Sequence, residues 1–128
     1  MREHAKTAIP AVVAEHAYGT WLWIEERVSA FPRDARRELG HRAALAALDA
    51  LCATTEACFL PRGPKRAELL MGASRSLTVL RILLRGARDR RYLAIGQHEH
   101  AMRLVDDWGR QLGGWLRHET RNASDKSF

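Results

Sequence analysis

Apolar residues recur along this chain at alternating spacings of three and four, the period of amphipathic helices, and the pattern divides into four runs. In the first, Pro10 to Phe31, Ala17, Trp21, Ile24, Val28 and Phe31 fall on one stripe. Pro10 suits a first helical turn, where its missing N–H is harmless, and Pro32 ends the run because the residue before a proline is pushed out of the α region. The second run, Arg33 to Phe59, is rich in Ala and Leu and predicts an inward face of Leu45, Leu48, Cys52, Thr55 and Phe59. Leu60-Pro61-Arg62-Gly63-Pro64 then forces a turn. In the third run, Lys65 to Arg88, the inward stripe is Leu70, Ala73, Leu77, Leu80, Leu84 and Ala87; in the fourth, Gly96 to Glu119, it is Ala101, Leu104, Trp108, Leu112 and Trp115.

No strand-like alternation of useful length competes with these runs. Helices of about 20 to 26 residues are roughly 30–40 Å long, and short joints place consecutive helices antiparallel. The expected fold class is therefore all-α, an antiparallel up-down-up-down four-helix bundle with crossing angles near +20°. A chain of 128 residues fits one domain. Residues 1–12 are expected to form an N-terminal extension, 13–119 the bundle, and 120–128 a polar, flexible tail. No apolar stretch approaches the length of a membrane span, and the charged N-terminus does not read as a signal peptide. A cytoplasmic protein with no membrane partner is expected.

Charge adds a second pattern. The chain has 21 basic residues against 15 acidic, net +6, and 18 of the 21 are arginine. Between Arg62 and Arg91 nine basic residues face only Glu68 and Asp89, a local excess of +7. Arginine forms bidentate pairs with phosphate or carboxylate that lysine does not match. In LRILLRGARDRR, Arg81, Arg85 and Arg88 share one helix face at spacings of four and three. Two readings stand: a solvated face balanced by acids of another helix, or a surface that tracks phosphates or docks carboxylates. Arg103, Arg110 and Arg117, seven apart, form a second ridge on the fourth helix. In FPRDARRELGHR, Asp34 and Glu38 interleave with Arg33, Arg36, Arg37 and Arg42, so intrahelical pairing is expected for about half of these charges.

The segment GRQLGGWLR holds Gly109, Gly113 and Gly114 inside a helix, each costing about 1 kcal/mol relative to Ala. They predict close approach of another backbone, within the bundle or across a subunit interface. Trp23 lies off its helix's stripe, which points to contact with another chain or a nucleobase. Catalytic and metal motifs are missing. His98 and His100, two apart on a helix, project about 200° apart and cannot share an ion, and no Gly-rich phosphate loop, nucleophile elbow or specific carboxylate pair occurs. Glu25-Glu26 and Asp106-Asp107 read as solvated neighbours. Cys52 and Cys58, six apart on one helix, cannot bridge each other and read as small buried apolar residues. No enzyme activity, cofactor or metal is expected.

Three motifs together resemble a known family. A Phe-Pro-Arg turn followed by Leu39-Gly40-x-Arg42, the Leu-Arg-x-x-Leu-Arg of Leu80 to Arg85, and the Gly-Arg-x-Leu-Gly-Gly-Trp of Gly109 to Trp115 are similar to those of the accessory variability determinant (Avd) proteins of diversity-generating retroelements. The resemblance covers about residues 17 to 117. It departs at Ile95-Gly96 and His98, where many members have Leu-Ser-x-x-Gln-Tyr, and at the stiffer turn of Pro61 and Pro64. What it implies is a non-enzymatic partner of a reverse transcriptase: a homopentameric barrel of bundles with a basic surface that binds the polymerase and supports mutagenic cDNA synthesis on template RNA during retrohoming. Arg81 and Arg85 coincide with motif arginines implied to contact polymerase or nucleic acid. The rRNA intervening-sequence proteins share the bundle and the implied pentamer without a polymerase, and form the alternative.

Overall fold

In the computed structural model, which describes the backbone of residues 2–126 and the side chains of residues 9–120, every regular element is helical. The elements are α1 (Arg2–Ser29), α2 (Arg33–Ala35), a π-helical turn (Arg36–Gly40), α3 (His41–Phe59), α4 (Pro64–Asp89) and α5 (Ile95–Lys126). With α2, the π turn and α3 running on from one another, four helical arms pack antiparallel. A Cβ built on Gly40 would stand 2.9 Å from Val28 Cγ1 and 3.2 Å from Phe31 Cδ2, so glycine is what lets the arm that carries it press against the end of α1. Pro64 opens α4 within its first turn, as proline favours. After α4 the chain reverses through Arg91 at φ 65°, with Tyr92 N–H donating to Ala87 O at 2.8 Å, a left-handed helix cap built without glycine.

α3 packs against both α1 and α4, α4 against α5, and α5 against α1, which leaves α1 and α4 diagonally opposed. The α4 stripe is buried as expected at all six positions from Leu70 to Ala87. In α1 the buried line is Val13, Ala17, Thr20, Ile24 and Val28, ending at Phe31 beyond the helix, while Trp21 is half-buried beside it. In α5 Val105 takes the central place expected of Leu104, which is half-buried.

α3 corrects the sequence reading. Its inner face is Ala43, Ala46, Ala47, Ala50, Thr54 and Ala57, whereas Leu45, Leu48, Cys52, Thr55 and Phe59 face outward. Helix separation depends on the side chains at the contact, and a face of alanines lets α3 sit close to both of its neighbours. Pro10 is also placed differently, since α1 starts at Arg2 and the proline lies inside it. Its carbonyl accepts a long contact from the Cys58 thiol at 3.6 Å. At the other end α5 runs to Lys126, past the boundary expected near residue 119.

One buried hydrogen bond crosses the core. Trp108 Nε1–H donates to Thr54 Oγ1 at 3.2 Å, and the Thr54 hydroxyl donates onward to Ala50 O at 2.7 Å, linking α5 to α3.

Candidate partner-binding surface

One arginine joins the two helices that carry the ridges, across the seam between α4 and α5. Arg81, on the α4 stripe's flank, reaches across to α5, where its Nε–H donates to Asp106 Oδ1 at 2.9 Å. Gly109 explains how. A Cβ there would stand 2.7 Å from Arg81 Nη2, so the missing side chain is filled by the guanidinium rather than by another backbone. Arg103 and Arg110 lie three before and four after Asp106, and Arg117 four after Gly113, so all three share the face of α5 that borders the seam. Arg85 and Arg88 continue the face of Arg81 along α4.

Partnership divides the six. Arg81 is paired with Asp106, Arg88 with its neighbour Asp89 at 2.9 Å, and Arg110 with Asp107. Exposed pairs of this kind contribute at most about 1 kcal/mol. Among the described residues, Arg85, Arg103 and Arg117 are exposed and have no carboxylate within ion-pair distance. These three guanidinium groups are the ones open to an outside anion. Which arginines find an acid across the seam depends on how α4 and α5 are offset, and spacing within one helix carries no record of that.

The remaining expected site residues are dispersed. Among the described residues Gly113 and Gly114 meet only Arg117 of their own helix, at 3.4 and 3.9 Å from an added Cβ, and no neighbouring backbone fills their space. Gly114 instead opens onto a groove shared by Val12 and Val13 of α1 and Trp115 of α5. Trp23 is half-buried against α5, its ring 5.0 Å from that of His100 and 5.9 Å below the Arg27 guanidinium. The interleaved charges of FPRDARRELGHR do not pair as expected. Among the described residues no ion pair joins Arg33, Arg36, Arg37 or Arg42 to Asp34 or Glu38, and Arg36 donates to Ser29 O at 3.4 Å instead. The π turn is the physical reason, because it shifts the angular register on which i,i+4 pairing depends.

Sequence reasoning missed a buried charge cluster at the far end of the seam. Glu119 is only 4 % exposed and lies 3.0 Å from Arg66 Nε and 3.8 Å from Arg62 Nε. Trp115 Nε1–H donates to Glu119 Oε1 at 3.2 Å, and the Arg66 guanidinium covers the Trp115 ring at 4.6 Å. The i,i+4 spacing of Trp115 and Glu119 was the available signal. Neither cysteine is fully buried: Cys52 is exposed, and Cys58 is half-buried with its thiol pushed up by burial, an effect that Arg66 partly opposes. His98, buried at the α4–α5 joint, is pushed below the ordinary histidine value by burial and then by Arg88, against the smaller pull of Asp89 and Glu99.

Among the described residues no three His, Cys, Asp or Glu side chains converge to hold a metal ion, and no helix is long and apolar enough to cross a membrane. The fold is an all-α bundle of four antiparallel helical arms with exposed arginines along α4 and α5. A family model for bAvd-like proteins matches residues 12–119, and the chain belongs to this family, the Avd-like accessory variability determinants, which are non-catalytic accessory proteins. A comparison with curated proteins gives no match. Membership places the chain in the context of diversity-generating retroelements.

Proposed function

We propose that this protein is the accessory subunit of a diversity-generating retroelement, binding the reverse transcriptase together with template RNA and cDNA along the α4–α5 seam and assembling as a homopentamer to do so. The observation that carries the reading is the set of three carboxylate-free arginines, Arg85, Arg103 and Arg117, on one seam of a chain from this family. Neutralising phosphates releases counterions, so affinity must fall as salt rises. Replacing all three by Ala is expected to keep the helical circular dichroism spectrum and to flatten the log–log salt dependence of RNA binding by about two units, at roughly 0.7 per single-strand contact. An unchanged slope sinks the seam as the binding surface. Co-expression with a neighbouring reverse transcriptase checks the polymerase. A stoichiometric complex supports the reading, and its absence favours the rRNA intervening-sequence type of bundle.

Self-assembly is supported by the outward stripe of α3. Phe59 is 85 % exposed, Leu45 45 % and Leu48 37 %, apolar area that a second copy of the chain would remove from water. The double substitution Leu45→Asp and Phe59→Asp touches nothing in the bundle core. It is expected to leave a folded monomer by light scattering, whereas an unaltered oligomer mass would place the interface elsewhere, with Gly113 and Gly114 the next surface to test.

A further inference from the structure

A second surface, on the opposite side of α4 from the seam arginines, has a different chemistry. The π turn, the α2 segment before it and the end of α4 enclose a groove of about 680 Å³, within the usual range for a small-ligand site. One irregularity borders it, the π turn itself, which contributes Arg37, Glu38 and Leu39 to the wall. Such departures from local preference cluster at functional positions. Arg37, Arg42 and Arg90 line the groove together with Asp34 and Glu38, and among the described residues none of these five charges forms an ion pair. Half-buried Tyr92 completes the wall, backed by Phe31 at 5.7 Å between ring centroids.

We propose that this groove holds one nucleotide whose base carries an exocyclic amino group. Three guanidinium groups suit phosphate oxygens. A simple polyanion would meet Asp34 and Glu38 unfavourably, and a simple cation would meet the arginines. A nucleotide satisfies both signs at once, because carboxylates accept from base amino groups while an aromatic wall stacks a base. Uracil, lacking that amino group, fits worse than cytosine. This inference does not rest on the seam arginines, and the test separates the two.

The probes are labelled single-stranded hexamers of cytidylate and uridylate, titrated by fluorescence anisotropy against the full chain and against its Arg85→Ala, Arg103→Ala, Arg117→Ala variant. The expected result is a preference for the cytidylate strand of about tenfold, the discrimination that one good base contact supplies, retained in the seam variant. The double substitution Asp34→Ala and Glu38→Ala, both on exposed side chains, takes away the acceptors and is expected to remove the preference without weakening the uridylate strand. Competition by free CMP but not UMP identifies a free nucleotide as the source, and competition only by the strand identifies a nucleotide within RNA; either supports the site. Equal affinity for the two strands, or a preference that survives Asp34→Ala with Glu38→Ala, overturns it.

Discussion

Truncating Trp108 to Ala is expected to lower stability by about 3–5 kcal/mol, as large-to-small changes of a buried aromatic do. Trp108 is fully buried on α5, and the helix across from it presents Ala47, Ala50 and Ala57 around Thr54. Alanine has no longer rotamer with which to fill a void, so the cavity stays open and the cost belongs at the upper end of that range. The polar side of the change is mild, because the Thr54 hydroxyl keeps its bond to Ala50 O at 2.7 Å. Thr54→Val isolates the other half of the interaction: it preserves shape but strands the indole N–H, at a cost of about 1–3 kcal/mol. Urea unfolding at fixed protein concentration measures both, since assembly would otherwise shift the apparent stability. A Trp108→Ala variant within about 1 kcal/mol of the parent would mean that α3 and α5 close the gap by moving together.

α4 and α3 show where the sequence was readable and where it was not. α4 has leucine at four of its six inward positions, so its hydrophobic period and its buried face coincide. α3 carries both leucines and alanines in helical register, and ranking them by size selected the wrong face. What decided the matter was how near α1 and α4 come to α3, a tertiary quantity with no mark in the local pattern. Leu104 and Val105 differ for a related reason, being adjacent residues of similar hydrophobicity separated by about 100° of helix rotation. At the candidate surface the positions of the arginines were legible and their partners were not. Arg81 shares its helix face with Arg85 and Arg88, yet it is paired with Asp106, and the glycine opposite is a seat for its guanidinium. The π turn hid most completely, because a reading built on 3.6 residues per turn assigns i,i+4 neighbours to Glu38 and Arg42 where the backbone has changed its period.

Removing Glu119 is expected to be the next most damaging single change, at about 3 kcal/mol, the lower end of the cost of breaking a buried ion pair. The carboxylate holds Arg66 at 3.0 Å, and Arg66 in turn covers Trp115 and donates to Leu60 O at 3.3 Å, so one charge ties the end of α5 to the start of α4 and the turn before it. In Glu119→Ala the Arg66 side chain, 15 % exposed, is left over an aromatic ring with no carboxylate. Its remaining access to water is why the lower figure applies. Glu119→Gln keeps the acceptor for Trp115 Nε1–H and removes only the charge, and therefore should fall between the parent and the Ala variant. Replacing the pair together, Arg66→Met with Glu119→Leu, should recover most of the loss, since apolar substitutes for a buried pair are often neutral or stabilising. The coupling energy of that double-mutant cycle is the quantity to measure. A value near zero would show that Arg66 is held by its stacking on Trp115 and its bond to Leu60 O, and that Glu119 is a passenger in the cluster.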